Sequence, residues 1–137
     1  MTIRVHYLLR QINHLSRRLI GSFGSTGSSP DIILTGNQKS GTSAIAALLS
    51  EAVGHPATID VFPKMGMRQF SSTINGQTSF KGFAENAKLY FSSSIVKDPD
   101  FAFFLPELFE LYPEDRYVFI VRNPHDNIRS ILKRISS

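Results

Sequence analysis

The sequence predicts an α/β domain: a parallel sheet with helices on both faces, a three-layer sandwich. Three features of the chain point there. From residue 31 onward, short apolar runs rich in β-branched and aromatic residues alternate with segments of helical period. Glycine, proline or an Asn-Pro pair stands at the stops between them. Charged and hydroxyl side chains collect directly after the strand ends, where open parallel sheets bind their ligands. Alternation of this kind calls for right-handed crossovers.

The elements follow in order. Ile32-Ile33-Leu34 makes the first strand, 31–36, closed by Gly36. The Ala/Leu-rich stretch Ala44-Ile45-Ala46-Ala47-Leu48-Leu49 consists mostly of strong helix formers and predicts a helix over 42–53. Thr58-Ile59-Asp60 closes a second strand, 57–61. Segment 62–80, with Met65, Gly66, Met67, Arg68 and Asn75-Gly76, shows no clear period and reads as a long connection, either a lid or substrate-contact loop or a plain surface excursion. A helix is expected over about 81–92, with Phe80-Lys81-Gly82-Phe83 placed to close over a site, and a third strand over 94–97, stopped by Pro99. Apolar Phe104, Leu105, Leu108 and Leu111 give the next helix, about 104–112. Pro106 fits it best if the helix starts nearby, with the proline in its first turn. Tyr117-Val118-Phe119-Ile120-Val121-Arg122 is the fourth strand, 117–122. Asn123-Pro124 breaks it, and a last helix covers 126–136.

Composition sets the bounds. With 137 residues, 42% hydrophobic and eleven phenylalanines, the chain can bury the core of one domain. It has no cysteine, so disulfides and thiolate metal sites are excluded and the redox compartment is left open. His6, His14, His55 and His125 have no metal-ligand spacing, and no metal is expected. A net charge of +4 favours anionic partners. Arg4, Arg10, Arg17 and Arg18 share the first twenty residues with Val5, Leu8, Leu9, Ile12, Leu15 and Leu19 at helical spacing. That predicts a basic amphipathic helix, which docks on the domain, touches a membrane surface through residues 4–20, or serves in targeting. The Gly/Ser-rich stretch up to Pro30 reads as a linker, so that 1–30 precede a domain of 31–137. No run reaches membrane-span length, and the N-terminus lacks a secretory apolar centre. The chain reads as cytoplasmic, peripheral to a membrane if that helix touches one.

The chemistry is concentrated in Gly36-Asn37-Gln38-Lys39-Ser40-Gly41-Thr42-Ser43, a turn between strand and helix. A helix N-terminus carries about half a positive charge, and a lysine beside it adds a whole one. In the nucleotide triphosphatase loop the lysine directly follows the second glycine. Here Thr42 follows Gly41, and the lysine lies inside the turn. A second constellation pairs Arg122 at a strand end with Ser130, eight residues on, and arginine's planar fork suits phosphate oxygens.

These residues resemble the sulfotransferase family. GxxKSGTS is similar to its 5′-phosphosulfate loop, and Arg122 with Ser130 to its 3′-phosphate site. The order strand-Lys97-Asp98-Pro99, helix, Tyr112-Pro113, strand-Arg122-Asn123-Pro124 resembles its middle section. The resemblance implies a P-loop-like fold and a donor, 3′-phosphoadenosine 5′-phosphosulfate (PAPS), bound by Lys39, Ser40, Gly41, Thr42, Ser43, Arg122 and Ser130 without metal. It further implies sulfuryl transfer to a hydroxyl or amine of a small-molecule, carbohydrate or lipid acceptor, with no nucleic-acid partner. Lys39 would stabilise charge on the departing phosphate. The histidine that cytosolic members carry after the third-strand lysine is missing, since Asp98-Pro99 follows Lys97. Asp60 is the first candidate for the base and Asp98 the second, although an aspartate at a strand end more often caps or terminates it. The resemblance covers 31–137 and lacks the family's later Gly- and Lys-bearing segment, so the chain reads as the N-terminal portion of such a domain, apparently truncated. Two other readings stay open: an ATP-dependent P-loop kinase, which would want a lysine after Gly41 and an acid for Mg²⁺, and a non-catalytic anion-binding module.

Overall fold

The computed structural model describes residues 30–136. The amphipathic helix and linker expected over 1–29 lie outside the described residues. Four strands, β1 (Ile32–Gly36), β2 (Ala57–Ile59), β3 (Ile95–Lys97) and β4 (Arg116–Ile120), form one sheet in the order β2-β3-β1-β4. Every pairing is parallel, with Ile32 opposite Ile95, Thr58 opposite Val96 and Gly36 opposite Ile120.

Alternation along the strands decides what covers each face. Ile32 and Ile95 point to one side and pack with Val53 and Leu49 of α1 (Thr42–Val53). Ile33 and Val96 point to the other and enter the main core. That core is largely aromatic. Phe62 stacks on Phe83 with centroids 4.2 Å apart, Phe80 on Phe104 at 5.0 Å and Phe91 on Tyr112 at 5.3 Å. Such pairs add about 0.5–1.5 kcal/mol each beyond the area they bury.

Segment 62–80 is helical rather than a long loop. It holds α2 (Val61–Met65) and α3 (Met67–Ile74), hinged at Gly66 with φ 91°. Neither helix is long enough to display a period, which is why the sequence pattern failed to reveal them. What holds them is tertiary: Val61 and Phe62 are fully buried, and Phe70 packs edge-on against Phe62. The helix expected near 81–92 divides at Ala87 into α4 (Phe80–Asn86), capped by Ser79, and α5 (Lys88–Phe91). A 3₁₀ turn over Pro99–Phe104 leads into α6 (Leu105–Leu111), which carries Pro106 in its first turn. The late start expected for that helix is what the structure has.

Two boundaries matter for the site. β2 ends at Ile59 because Asp60 turns left-handed, and β4 ends at Ile120, leaving Arg122 two residues beyond the sheet. Pro124 both stops the extended chain and serves as the first residue of α7 (Pro124–Ile135), whose cap is Asn123, with Oδ1 accepting from the His125 N–H. Tyr117 Oη donates to the carbonyls of Leu108 and Tyr112, fastening β4 to the end of α6. Phe119 of β4, Val121 after it, and Ile128, Leu132 and Ile135 of α7 are exposed apolar side chains. No helix among the described residues is long and apolar enough to cross a membrane.

At Gly36, β1 lies close against β4. A Cβ built there would lie 2.4 Å from the Ile120 carbonyl oxygen, a backbone atom held by the ladder. Gly36→Ala is therefore expected to destabilise the domain by about 1–3 kcal/mol in denaturant unfolding; an unchanged midpoint would show that the two strands are not so closely coupled.

Candidate active site

The C-terminal ends of all four strands lie along one edge of the sheet, a consequence of parallel pairing. The chain leaves β1 toward the α1 face and leaves β3 toward the opposite, phenylalanine-rich face. A crevice opens between such diverging loops. Here it is a cleft of about 950 Å³.

The turn after β1 forms its first wall. Ser40 N–H donates to the Asn37 carbonyl at 3.1 Å, Lys39 takes φ 63°, and Gly41 takes φ 95° to open α1. No side chain caps α1, and no acidic residue occupies its first turn. The end of the helix thus keeps its positive character. Ser40 Oγ is buried with no hydrogen-bond partner. A hydroxyl left so costs about 1–3 kcal/mol, which an anion seated in the turn would relieve.

The turn after β4 forms the second wall. Arg122 Nη1 donates to the Lys39 carbonyl at 2.8 Å across 83 residues of sequence. Asn127, buried in α7, donates through Nδ2 to the Gln38 carbonyl at 2.7 Å. The lysine turn and Arg122, expected to belong to two separate constellations on one ligand, are side by side. Lys39, Gly41, Thr42, Ser43, Asp60 and Arg122 all line the cleft. Ser130 does not; it is half-buried on α7, whose contribution to the lining is Arg134.

At the floor is a residue that sequence reasoning used only as a strand marker. The Lys97 side chain is 3% exposed, and its Nζ donates to Ser43 Oγ at 2.9 Å and to Asp60 Oδ1 at 2.5 Å. It ties the turn after β1 to the one after β2. A lysine ending an otherwise apolar strand was the signal available in the sequence. Lys39 and Asp60 are also the two non-glycine residues with positive φ among the described residues, at 63° and 59°. Backbone strain of about 1–3 kcal/mol per residue persists where surrounding contacts hold it, commonly at functional sites.

A family model of the sulfotransferase domain matches residues 31–137. The chain belongs to the sulfotransferase family. Neither the curated proteins nor the solved structures give a match.

Within this sulfotransferase domain the two aspartates considered as bases have different surroundings. The Asp60 side chain is 44% exposed and opens on the cleft. Asp98 also lines the cleft but has no exposed surface, and its carboxylate is occupied: Oδ2 accepts from the Phe62 N–H at 2.7 Å and Oδ1 from the Asp100 N–H at 2.8 Å. It thereby holds the start of α2 and of the 3₁₀ turn together. Burial pushes the Asp98 carboxyl up to about 6, against the two backbone hydrogen bonds. Asp100 is raised too, by burial, with a hydrogen bond from Gln38 opposing. The far wall of the cleft is Pro63, Met67 and Phe70, from α2 and α3.

The raised Asp98 carboxyl has a sign that can be measured. Because its folded value exceeds the ordinary 3.8, the folded protein takes up the proton first, and the cost of the buried charge is present in full above about pH 6 and gone below about pH 4. Relative to Asp98→Asn, the wild type should gain up to about 3 kcal/mol of unfolding free energy between pH 7.5 and pH 4. Asp115, also raised to about 6 by burial and by Asp31, titrates in both proteins and cancels in the difference. A difference that is flat with pH would mean that Asp98 carries no such cost.

Proposed function

We propose that this domain binds PAPS along the cleft and transfers its sulfuryl group to a hydroxyl or amine. The observation that carries the reading is the Arg122–Lys39 contact, which brings two cationic residues onto one cleft beside the unpartnered Ser40 hydroxyl. The donor supplies a sulfuryl group on a phosphate leaving group. Lys39 and the N–H groups of Ser40 to Ser43 meet the charge that develops on the bridging oxygen and the phosphate as the S–O bond breaks. Arg122 answers the 3′-phosphate with its free donors and orients the nucleoside away from the reacting sulfur. Asp60 takes the proton from the acceptor as the new bond to sulfur forms, and Lys97 keeps that carboxylate directed into the cleft. An acceptor approaching Asp60 would pass Pro63, Met67 and Phe70.

The kinase alternative is less well supported. Thr42 occupies the place of the kinase loop's lysine, and the Asp98 carboxylate already accepts two backbone N–H groups. Calorimetric titration separates the readings. 3′-Phosphoadenosine 5′-phosphate should bind without Mg²⁺ and more tightly than 5′-AMP, while Arg122→Ala should remove that advantage. Binding of ATP that requires Mg²⁺ would favour the kinase; equal binding of 5′-AMP and the bisphosphate would defeat the donor assignment. Asp60→Asn should lower sulfuryl transfer by about 10²–10⁴-fold, the usual contribution of a general base, with bisphosphate affinity retained. Full activity in that variant would remove Asp60 from the mechanism.

A further inference from the structure

The rotation of α7 is fixed at one point. Asn127 is buried and bonded to the Gln38 carbonyl, so the face that carries it is the face turned toward the lysine turn. Seven residues make two helical turns to within about 20°, and they advance about 10 Å along the axis. Arg134 stands seven residues after Asn127, on the same face, and it lines the cleft with Lys39 and Arg122. Ser130 is rotated about 60° away from Asn127 and does not line it. On α7, Arg129 pairs with Asp126, a neighbour on the exposed surface at 3.7 Å. Arg134 has no carboxylate partner among the described residues.

We propose that Arg134 is a second guanidinium of the 3′-phosphate subsite, so that Arg122 from the end of β4 and Arg134 from the last turn of α7 grip that phosphate between them. The inference rests on the donor reading above. It follows from the geometry of Arg122, whose Nη1 is already engaged by the Lys39 carbonyl. A phosphate dianion presents three terminal oxygens, more acceptor capacity than the remaining edge of one guanidinium fills. Arg134, which lines the same cleft from α7, supplies a second cation for what is left. The competing explanation is that Lys133 and Arg134 merely answer the negative C-terminal end of α7. That role would change helix stability and leave ligand discrimination alone.

The test is calorimetry on the whole chain with 3′-phosphoadenosine 5′-phosphate and, separately, 5′-AMP, for wild type, Arg134→Ala, Arg134→Lys and Lys133→Ala. Arg134→Ala should weaken the bisphosphate about tenfold or more while changing 5′-AMP by no more than about twofold, the loss of one charge-assisted hydrogen bond to one phosphate. Arg134→Lys should recover part of the loss, and Lys133→Ala should bind both ligands as the wild type does. Arg134 is exposed in the last helical turn, and thermal melts without ligand check that each variant folds. Unchanged bisphosphate affinity in Arg134→Ala, equal losses for both ligands, or the same loss in Lys133→Ala would overturn the inference. If the wild type itself fails to prefer the bisphosphate, the donor reading falls and this inference with it.

Discussion

Strand β1 is held between two parallel partners, β3 on one side and β4 on the other, and the site depends on that placement. Parallel pairing sends every strand's C-terminal end to one edge, so the segments after Gly36, Lys97 and Ile120 meet although long stretches of chain separate them. Three hydrogen bonds fasten the junction. The Asp98 N–H donates to the Leu34 carbonyl, Thr35 Oγ1 to the Pro99 carbonyl, and Arg122 to the Lys39 carbonyl. The first two hold β3's exit against β1, and the third holds β4's. With the exits of β1 and β3 turned to opposite faces, the space between them becomes the cleft rather than core.

Burial of a lysine at that junction imposes the next constraint. An unpaired ammonium in the interior costs several kcal/mol, so Lys97 must find acceptors close by. Asp60 and Ser43 supply them, one from the β2 exit and one from the first turn of α1. The carboxylate reaches Lys97 from a backbone turned left-handed, and Lys39 in the turn after β1 is turned the same way. Asp60 runs directly into α2, which is anchored through Phe62 and the Asp98 carboxylate, while the Lys39 carbonyl is held by Arg122. Strain at the rim and rigidity in the core are thus parts of one arrangement.

Charge is distributed unevenly among the residues that line the cleft. Lys97 and Asp60 neutralise each other at the floor, while Lys39, Arg122 and Arg134 face the cleft without carboxylate partners among the described residues. The positive end is therefore the wall built by the turn after β1 and by α7. Pro63, Met67 and Phe70 add apolar surface to the same cleft, which Asp100 also lines.

Local features were legible in the sequence because they are decided within a few residues. Periods of two and of 3.6 residues marked the alternating elements, Pro106 marked the start of α6, and glycines around a lysine marked an anion-binding turn at a helix start. Helices α2 and α3 escaped because five and eight residues hold too little periodicity to read. Tertiary structure alone decided the strand order, the contact of Arg122 with the lysine turn, and the pairing of Lys97 with Asp60. It also decided that Asp98 ties two elements together while Asp60 opens on the cleft, and that Arg134 rather than Ser130 lines it. Each of these depends on which distant segments share a sheet edge or a helix face, and no local pattern encodes that, because it is set by long-range packing and by the need to give every buried charge a partner.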